Sequence, residues 1–431
     1  MNEPTWQRER VSPMRTPAPV RRLTVEDLLS LKTTTGASKP ALHELVIEGL
    51  LSFGDKTHFE LGRLNILVGP NGSGKSNVID CLRVFHYAPL DIQEAFRKGG
   101  FEEWLYNGID KHSGTAFLQI TANVADVPRT IRHRLRLGPP LNSRAPLEEV
   151  ISSVGEESED LDPFFVGSHR SQATLSVAGA GKRRRERKLD AHDYDPFRSI
   201  LGQIRDVGQY PEITRLASFY ADFRIYSEWT FGRNSNLREA TPAGRSETRL
   251  SESMDDLALA LNGLEQTAAH EKIRVLLKEL KETYRDYVTR VLFGRVGLEL
   301  VEAPFEQLPL PANRLSDGTL RFLALAAILL QPDPPSLICM EEPELGMHPD
   351  MIRMVAGMII DASVKTQLIV TTHSEHLLSA LQDDFDALFA FDAGLDGSVV
   401  RRFSREEYGD WRQDHTLGEL WTSGELGGNR W

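Results

Sequence analysis

The chain has 431 residues, of which 40% are hydrophobic and 26% charged, a composition typical of a globular protein with one large or two smaller domains. Its formal net charge of −12 argues against a uniformly basic nucleic-acid binder. The two cysteines, Cys81 and Cys339, stand far apart in apolar surroundings, which predicts reduced core thiols. The longest unbroken apolar run, residues 322–330, is too short to span a bilayer, and no secretory signal is visible. These features predict a cytoplasmic protein with no membrane partner.

The first part of the chain divides into an arm and a strand-rich lobe. Residues 1–41 are rich in proline and poor in aromatic residues, which predicts a largely disordered N-terminal arm with one short helix near residues 24–31. From residue 42, alternation predicts strands in "LHELVIE" and "HFELG", and the wholly apolar "LNILVG" predicts a central strand. Two antiparallel strands are expected in "GTAFLQITANV" and "TIRHRLRL". These segments are predicted to form one lobe, residues 42–138.

Residues 139–217 are predicted to be a polar insertion, loop-like from Gly138 to about Asp195, with an acidic stretch before the basic run Lys182–Lys188. The basic run is either a solvated hairpin tip or a nucleic-acid contact through the phosphate backbone. Residues 218–431 are predicted to hold a helical region over 250–292, the strand "VGLELVEA", and then alternating helices and strands of an α/β domain.

The segment "GPNGSGKS" fits the pattern G-x-x-x-x-G-K-[ST] between an apolar strand and an amphipathic helix, the setting of a phosphate-binding P-loop. Gly72 and Gly74 let successive backbone N–H groups face an anion, and the helix N-terminus adds the positive end of its dipole. We expect Lys75 to reach the β- and γ-phosphates of ATP and the Ser76 hydroxyl to bind Mg²⁺. The predicted nucleotide-binding residues are Gly69, Pro70, Asn71, Gly72, Ser73, Gly74, Lys75, Ser76 and Asn77.

The apolar run "SLICM" ends at two adjacent carboxylates, Glu341 and Glu342. Two such charges are costly side by side unless a cation intervenes. We therefore expect Glu341, at the strand tip, to hold Mg²⁺ near Ser76, and Glu342 to orient and deprotonate the attacking water. His373 follows the apolar strand "QLIVTT" and is expected to contact the γ-phosphate.

A further anion-binding helix start is expected upstream of these carboxylates. Ser316 and Gly318 open the long apolar helix of "RLSDGTLRFLALAAILL", and a helix N-terminus of this kind attracts anions. The chain already has its own phosphate loop, so this second start needs another partner.

These four motifs, in this order, resemble those of ABC-type ATPases of the RecF, SMC and OLD group. The resemblance implies an α/β P-loop NTPase fold, with a mixed sheet, an antiparallel β lobe and a helical signature lobe. It matches Lys75 with Walker A, "LSDGT" with the signature, "LICMEEPE" with Walker B and His373 with the switch histidine. In that group the signature helix of one subunit completes the ATP site of another. This implies a homodimer or higher oligomer, with Ser316 and Gly318 against the other copy's ATP.

The chain is also similar to stand-alone "AAA family ATPases" of bacterial defence islands, which are PARIS-like or OLD-like. The similar segments are "IYSEWTFGR", "RLSDGTLRFL", "EEPELGMHP" and the ending "LGELW…GELGGNRW". This resemblance implies a slowly hydrolysing sensor or scaffold ATPase that acts with a separate TOPRIM-like nuclease against phage. The alternative is a RecF-like repair ATPase that binds DNA itself.

Three features depart from the group's pattern. Walker B carries Glu341 where aspartate is usual, the loop "GLLSF" lacks the usual basic residue, and no Q-loop glutamine is visible, so Glu228 and Arg233 are candidates by position alone. The chain after His373 is too short for a nuclease core, and "DDFD" at 383–386 is predicted to be a solvated turn. Trp421 and Trp431 of the terminal segment either dock a partner or fold back on the head.

Overall fold

The structure is a computed structural model that describes residues 41–108, 114–141, 144–155, 160–168, 171–178, 184–190, 192–244, 249–403 and 415–425. The helix expected near residues 24–31 lies outside these ranges. The α-helices of these ranges are α1 (Lys75–Tyr87), α2 (Phe101–Trp104), α3 (Ile200–Gln203), α4 (Pro211–Ala221), α5 (Leu257–Leu264), α6 (Ala268–Leu280), α7 (Asp317–Leu329), α8 (Pro349–Ser363), α9 (Glu375–Ala380) and α10 (Leu417–Thr422). The strands are β1 (Leu42–Glu48), β2 (Thr57–Glu60), β3 (Leu64–Val68), β4 (Ala116–Ala122), β5 (Ile131–Leu137), β6 (Leu147–Val154), β7 (Asp160–Ser168), β8 (Ser171–Val177), β9 (Arg185–Leu189), β10 (Arg224–Tyr226), β11 (Thr241–Pro242), β12 (Tyr284–Leu292), β13 (Arg295–Glu302), β14 (Leu310–Pro311), β15 (Leu337–Glu341), β16 (Gln367–Thr372), β17 (Leu388–Gly394) and β18 (Gly397–Arg402).

A six-stranded, mainly parallel sheet carries the P-loop, in the strand order β10-β15-β16-β3-β17-β18. Its neighbours pair in parallel, except for the antiparallel hairpin of β17 and β18. Strands β3 and β16 are buried along their whole length, as parallel strands covered on both faces are expected to be. The central position predicted for the apolar segment 64–68 is therefore confirmed.

Side chains of this sheet alternate between two hydrophobic cores, because successive residues of a strand point to opposite faces. On β16, Leu368 and Val370 join a core built with helices α5 to α10, whereas Ile369 joins a core built with α1, α3, α4 and the antiparallel sheet. Cys81 and Cys339 are free and fully buried in the second core. Burial raises the pKa of both thiols. Both cysteines are thus unpaired core residues, as predicted.

An eight-stranded antiparallel sheet covers α1, in the order β2-β1-β4-β5-β6-β7-β8-β9. The loop-like character predicted for residues 138–195 is wrong, because four strands, β6 to β9, extend the sheet through this segment. Leu147, Ile151, Phe165 and Leu175 are fully buried beneath these strands. An antiparallel strand needs only one apolar face, so the many charged residues of this segment did not exclude strands.

The helical periodicity expected over residues 250–292 extends only to Leu280, where α6 ends. Ile273 and Leu277 are fully buried on that helix, as predicted. Tyr284, which sequence reasoning also placed on a helix, instead opens β12, which pairs with β13 in an antiparallel hairpin. Its neighbour Tyr287 is fully buried and donates a hydrogen bond to the Leu261 carbonyl at 3.2 Å. Aromatic and β-branched residues in "YRDYVTRVL" favour the strand.

A fully buried polar cluster fixes the antiparallel sheet against α1. His133 Nε2 lies 2.9 Å from Glu149 Oε1, which also accepts a hydrogen bond from Ser199 Oγ at 2.5 Å. The ring of His133 packs on Phe85 of α1 and on Tyr220, with centroid distances of 5.5 and 5.7 Å. The helix that follows the P-loop is thus held by strands far along the chain.

The last described residues fold back onto the head. Helix α10 packs on α9, and Trp421 is buried in the core. Of the two alternatives given for Trp421, docking a partner or folding back on the head, the structure shows the second. Trp431 lies outside the described ranges. Among the residues that the structure describes, no helix combines the length and apolar character needed to cross a bilayer.

Candidate functional site

The candidate site lies where three parallel strands end together. In the register of the sheet, Glu341 of β15 pairs with Thr371 of β16, and Thr371 and Thr372 pair with Leu67 and Val68 of β3. The segments that follow these strands therefore leave the sheet at the same edge. They are the P-loop, the Glu341–Glu342 pair and the segment containing His373.

The P-loop is held in a conformation that depends on glycine. Gly72 and Gly74 have φ angles of +76° and +100°, in the left-handed region that side chains other than hydrogen rarely adopt. A Cβ atom at Gly74 would lie 2.0 Å from Ser398 Oγ, so no other residue fits there. Gly74 is also the N-cap of α1, which points the N-terminal N–H groups of that helix at the loop.

Lys75 is buried in the loop and caps its backbone carbonyls. Its Nζ donates hydrogen bonds to Gly69 O at 2.8 Å and to Pro70 O at 2.9 Å. Burial lowers the pKa of Lys75 to about 8, against the opposing effect of the Glu342 and Glu341 carboxylates. Asn71 and Ser76 are exposed, and Ser73 is buried with a hydroxyl that has no hydrogen-bond partner among the described residues. The loop thus presents one buried cation beside one buried hydroxyl that has no partner among the described residues.

Two distant segments support the loop. Sequence reasoning noted "GLLSF" only for its missing basic residue and did not single out Ser52 or Ser398. Ser52, in the "GLLSF" loop, accepts hydrogen bonds from Asn77 Nδ2 at 2.7 Å and from Ser398 Oγ at 2.6 Å. Ser398 also lies 2.7 Å from the Ser73 carbonyl. A Cβ at Gly397 would lie 2.4 Å from Ser52 O. No local pattern could have found these contacts, since Ser52 and Ser398 are 346 residues apart.

Glu341 faces α1 and shares its surroundings with Asp80. Burial and the Asp80 charge raise the pKa of Glu341 to about 7, whereas Arg83 and a hydrogen bond from the Ser76 side chain act in the opposite direction. Burial likewise raises the pKa of Asp80, against the opposing charge of Arg83, whose Nε lies 3.6 Å away. Sequence reasoning missed Asp80, although its position four residues after Ser76 places it on the same helix face.

Glu342 points away from Glu341 and towards His373. Its Oε1 lies 3.2 Å from His373 Nε2, and both side chains are about one-third exposed. The φ angle of Glu342 is +43°, a conformation that costs a residue with a side chain about 1 kcal/mol or more. The Glu342 N–H holds this turn by donating to Thr371 O at 3.0 Å and Thr371 Oγ1 at 3.2 Å. Burial and Lys75 lower the pKa of His373, and Glu342 opposes them.

The structure does not link Ser316 or Gly318 to the P-loop of the same chain. Ser316 is the exposed N-cap of α7, where its Oγ accepts from Thr319 N at 3.1 Å and lies 2.8 Å from Thr319 Oγ1. Asp317 forms an ion pair with Arg238, which is buried and also donates to the carbonyls of Ala312 and Leu315. The start of α7 is therefore a rigid, outward-facing helix N-terminus.

A cleft of about 700 Å³ extends from Ser76 and Glu341 to Glu228. Glu228 is exposed and forms an ion pair with Lys98 at 3.0 Å, and this hydrogen bond lowers its pKa. Arg233 is exposed and does not line the cleft. Trp229, which follows Glu228 in the chain, donates its indole N–H to the Glu341 carbonyl. Sequence reasoning missed this contact.

Two other candidate features lie apart from this edge. In the basic run, Lys182 and the residue after it are outside the described ranges, and Arg184 forms an ion pair with Glu212 at 2.7 Å. Residues 185–188 are exposed on β9, the last strand of its sheet. The "DDFD" segment forms a 3₁₀ turn, Gln382–Ala387, directly before β17.

The fold is similar to solved SMC head domains. A structure titled as the SmcHead bound to the C-winged helix domain of ScpA matches 85% of this chain and 99% of that chain, at 16% identity and a TM-score of 0.54. The Smc head domain with an extended coiled coil, bound to the C-terminal domain of ScpA derived from Pyrococcus furiosus, matches 87% and 99% at 14% identity and a TM-score of 0.53. The likeness confirms the predicted fold class.

Two curated sequence relatives are chromosome partition proteins named Smc. The protein from Desulfitobacterium hafniense is 56% identical over 43 residues, which are 10% of this chain and 4% of that protein. The protein from Halobacteriovorax marinus is 37% identical over 82 residues, which are 19% of this chain and 6% of that protein. The chain therefore matches only a small part of the length of these relatives.

The fold is that of an SMC-like head, and the phosphate loop within a matched AAA domain makes the chain a P-loop ATPase. A family model described as "AAA domain" matches residues 44–287, more than half of the sequence, and the chain belongs to that AAA-domain family. A second family model, described as "AAA domain, putative AbiEii toxin, Type IV TA system", matches residues 215–379.

The substitution Glu341→Gln is expected to stabilise the nucleotide-free protein, and more strongly at pH 8 than at pH 5. The pKa of Glu341 is raised from 4.5 to about 7. Between these two pH values, the folded protein therefore keeps a proton that the unfolded chain loses. The free energy of unfolding of the wild type therefore falls as the pH rises from about 4.5 to about 7, while glutamine does not titrate. Thermal unfolding in EDTA between pH 5 and pH 8 measures the difference.

The Glu306→Gln variant, which removes an exposed carboxylate that pairs with Arg285, is the matched control for the loss of one negative charge. A Glu341→Gln effect that is independent of pH would show that the surroundings of Glu341 do not raise its pKa, and would contradict this prediction.

Proposed function

We propose that this ATPase binds Mg-ATP at the common edge of β3, β15 and β16 and hydrolyses it slowly there. The observation that carries the proposal is the convergence at that edge of a buried lysine, a hydroxyl, two divergent carboxylates and a histidine. Residues Gly69–Asn77 would hold the phosphates, all except Pro70 through backbone N–H groups, and Lys75 would move from the carbonyls of Gly69 and Pro70 to the β- and γ-phosphates.

The residues beside the loop fit a magnesium ion. Ser76, Glu341 and Asp80 offer one hydroxyl and two carboxylates, which are hard oxygen donors of the kind that Mg²⁺ prefers. In the described part of the chain no group of three or more His, Cys, Asp or Glu side chains is arranged to hold a metal, but Mg²⁺ in ATPases takes one or two carboxylates besides phosphate and water. When bound, the ion supplies neutralisation of the phosphate charge. Ser76 and Glu341 are the proposed ligands.

Glu342 is proposed as the base and His373 as its orienting neighbour. Because Glu342 points to His373 and not to Ser76, its carboxylate is available for a water molecule in line with the γ-phosphate. The water oxygen would bond to the γ-phosphorus as the bond to the β–γ bridging oxygen breaks, and Glu342 would take the proton. His373, which lies 3.2 Å from Glu342 Oε1, would donate a ring N–H to a γ-phosphate oxygen.

A second copy of the chain is proposed to complete the site. The Ser316 N-cap faces outward on a rigid turn and makes its hydrogen bonds within α7. A helix N-terminus of this kind attracts anions, which supports contact between Ser316, Gly318 and the γ-phosphate held by the other copy. The assembly would be a homodimer or higher oligomer with ATP between the copies.

The proposed biological role is a sensor or scaffold ATPase in anti-phage defence that acts through a separate TOPRIM-like nuclease. The family description that mentions an AbiEii toxin supports a defence-type system. The alternative is a RecF-like repair ATPase, which the exposed basic residues of β9 favour. Strong stimulation of ATP hydrolysis by DNA duplex ends or gaps would favour repair. Co-purification of this ATPase with the product of its neighbouring gene, together with nuclease activity of that complex, would favour defence.

Glu342→Gln is expected to retain ATP binding and to lower the rate constant of hydrolysis by a factor of about 100 or more, since general base catalysis contributes about that much. Lys75→Ala should instead weaken ATP binding, because it removes a charge-assisted phosphate contact. Equilibrium binding and single-turnover hydrolysis separate the two effects. Glu306→Gln, at an exposed carboxylate, should behave as wild type, and a Glu342→Gln variant that hydrolyses ATP at the wild-type rate would refute the assignment of the two glutamates.

Ser316→Arg is expected to leave ATP binding to a single copy within about twofold while abolishing the ATP-dependent dimer, because the added bulk and charge would lie at the interface. Light scattering of the Glu342→Gln background with and without ATP measures the assembly. Ser218→Arg, on the exposed face of α4, is the matched control and should still dimerise. An unchanged ATP-dependent mass for Ser316→Arg would rule out the composite site.

A further inference from the structure

Two buried atoms of opposite character lie without partners beside the candidate site. Arg321 Nη1 and Glu344 Oε2 are both buried, and neither atom makes a hydrogen bond of good geometry among the residues that the structure describes. The Glu344 carboxylate also interacts with the backbone N–H groups of Glu344 and His373, while burial raises its pKa. Each residue is only 7% exposed. An unsatisfied buried polar atom is destabilising, and more so when it is charged. A complementary pair of such atoms is therefore a feature that needs an explanation.

Arg321 is held in place by aromatic rings. It lies on α7, in the turn after the Ser316 N-cap, and its guanidinium carbon is 4.8 Å from the Phe231 ring centroid and 5.3 Å from that of Trp229. These two rings are stacked, with centroids 6.0 Å apart and planes 15° apart. Burial lowers the pKa of Arg321, against the carboxylates led by Glu344. The aromatic contacts fix the guanidinium and leave Nη1 free to donate.

Glu344 is connected to the proposed catalytic segment. Its Oε1 accepts a hydrogen bond from the Thr372 hydroxyl, the residue before His373. The same hydroxyl accepts from Ser374 N at 2.9 Å, so Glu344 holds the turn that carries His373. On the other side, the indole of Trp229 donates to the Glu341 carbonyl. The surroundings of Arg321 thus reach both carboxylates of the site.

We propose that Arg321 and Glu344 are positioning residues for hydrolysis. In the ATP-bound state Arg321 Nη1 donates to Glu344 Oε2, and this contact fixes Thr372 and His373 beside Glu342. The position of α7, whose Ser316 end faces the other copy, would then control the alignment of the base. This inference rests on the proposed function of Glu342 and His373. A pair with a purely structural role would be satisfied in the nucleotide-free protein, because buried charges are destabilising unless paired.

The pair is tested by a double-mutant cycle of Arg321→Met and Glu344→Gln, with ATP affinity measured separately from the rate constant of hydrolysis. Each single variant is expected to hydrolyse ATP at least about tenfold more slowly, with a dissociation constant within about twofold of the wild type. The double variant should be no slower than the slower single variant, because both changes remove one contact. Arg353→Met and Glu306→Gln, at exposed positions, are matched controls that should leave both quantities unchanged.

Wild-type hydrolysis by either single variant would overturn the proposal, and so would losses that multiply in the double variant or a parallel loss of ATP affinity. If Arg321→Met does not fold, Arg321→Lys replaces it in the same cycle, and the same non-additivity decides. Glu342→Gln is measured in parallel. If that variant is stalled while the cycle shows no effect, this inference alone fails; if it is not stalled, the proposed function fails first.

Discussion

Parallel pairing of β3, β16 and β15 is the constraint on which the site depends. The register that aligns Glu341 with Thr371, and Thr371 with Leu67, makes three strands end at one level. Parallel strands must be covered on both faces, and the two cores supply that cover with helices on one side and the antiparallel sheet on the other. Polar residues from three separate segments therefore meet at one edge, each at or just after the end of a buried strand.

The same edge concentrates charges in a poorly solvated place. Burial lowers the pKa of Lys75 to about 8 and raises that of Glu341 to about 7, so each group is more easily neutralised than in water. The left-handed backbone at Glu342 adds a local cost that the surrounding hydrogen bonds offset. A site of this kind is suited to a charged ligand, since phosphates would stabilise the charge of Lys75 and a divalent cation would stabilise the charge of Glu341.

The fold class and the strand–loop–helix unit around Lys75 could be predicted because their signals are local: an apolar strand, a glycine-rich turn and an amphipathic helix in sequence order. The separation of Glu341 from Glu342 followed from the strand ending between them. The strands of residues 147–189 escaped prediction because charged residues on one face obscured the buried face. Ser52 and Arg321 could not be assigned without the sheet register and the helix packing, which bring distant segments together. Asp80 was missed although its spacing from Ser76 on α1 is a local signal.

The most direct test of the account is a structure of the Glu342→Gln variant with Mg²⁺ and ATP. The account predicts phosphates on the backbone of Gly69–Ser76, Lys75 Nζ on phosphate oxygens in place of the Gly69 and Pro70 carbonyls, and the metal beside Ser76 and Glu341. It also predicts residue 342 next to the γ-phosphate, with Ser316 of a second copy on its other side. Phosphates bound away from this edge, or a metal held by residue 342 instead of Glu341, would contradict it.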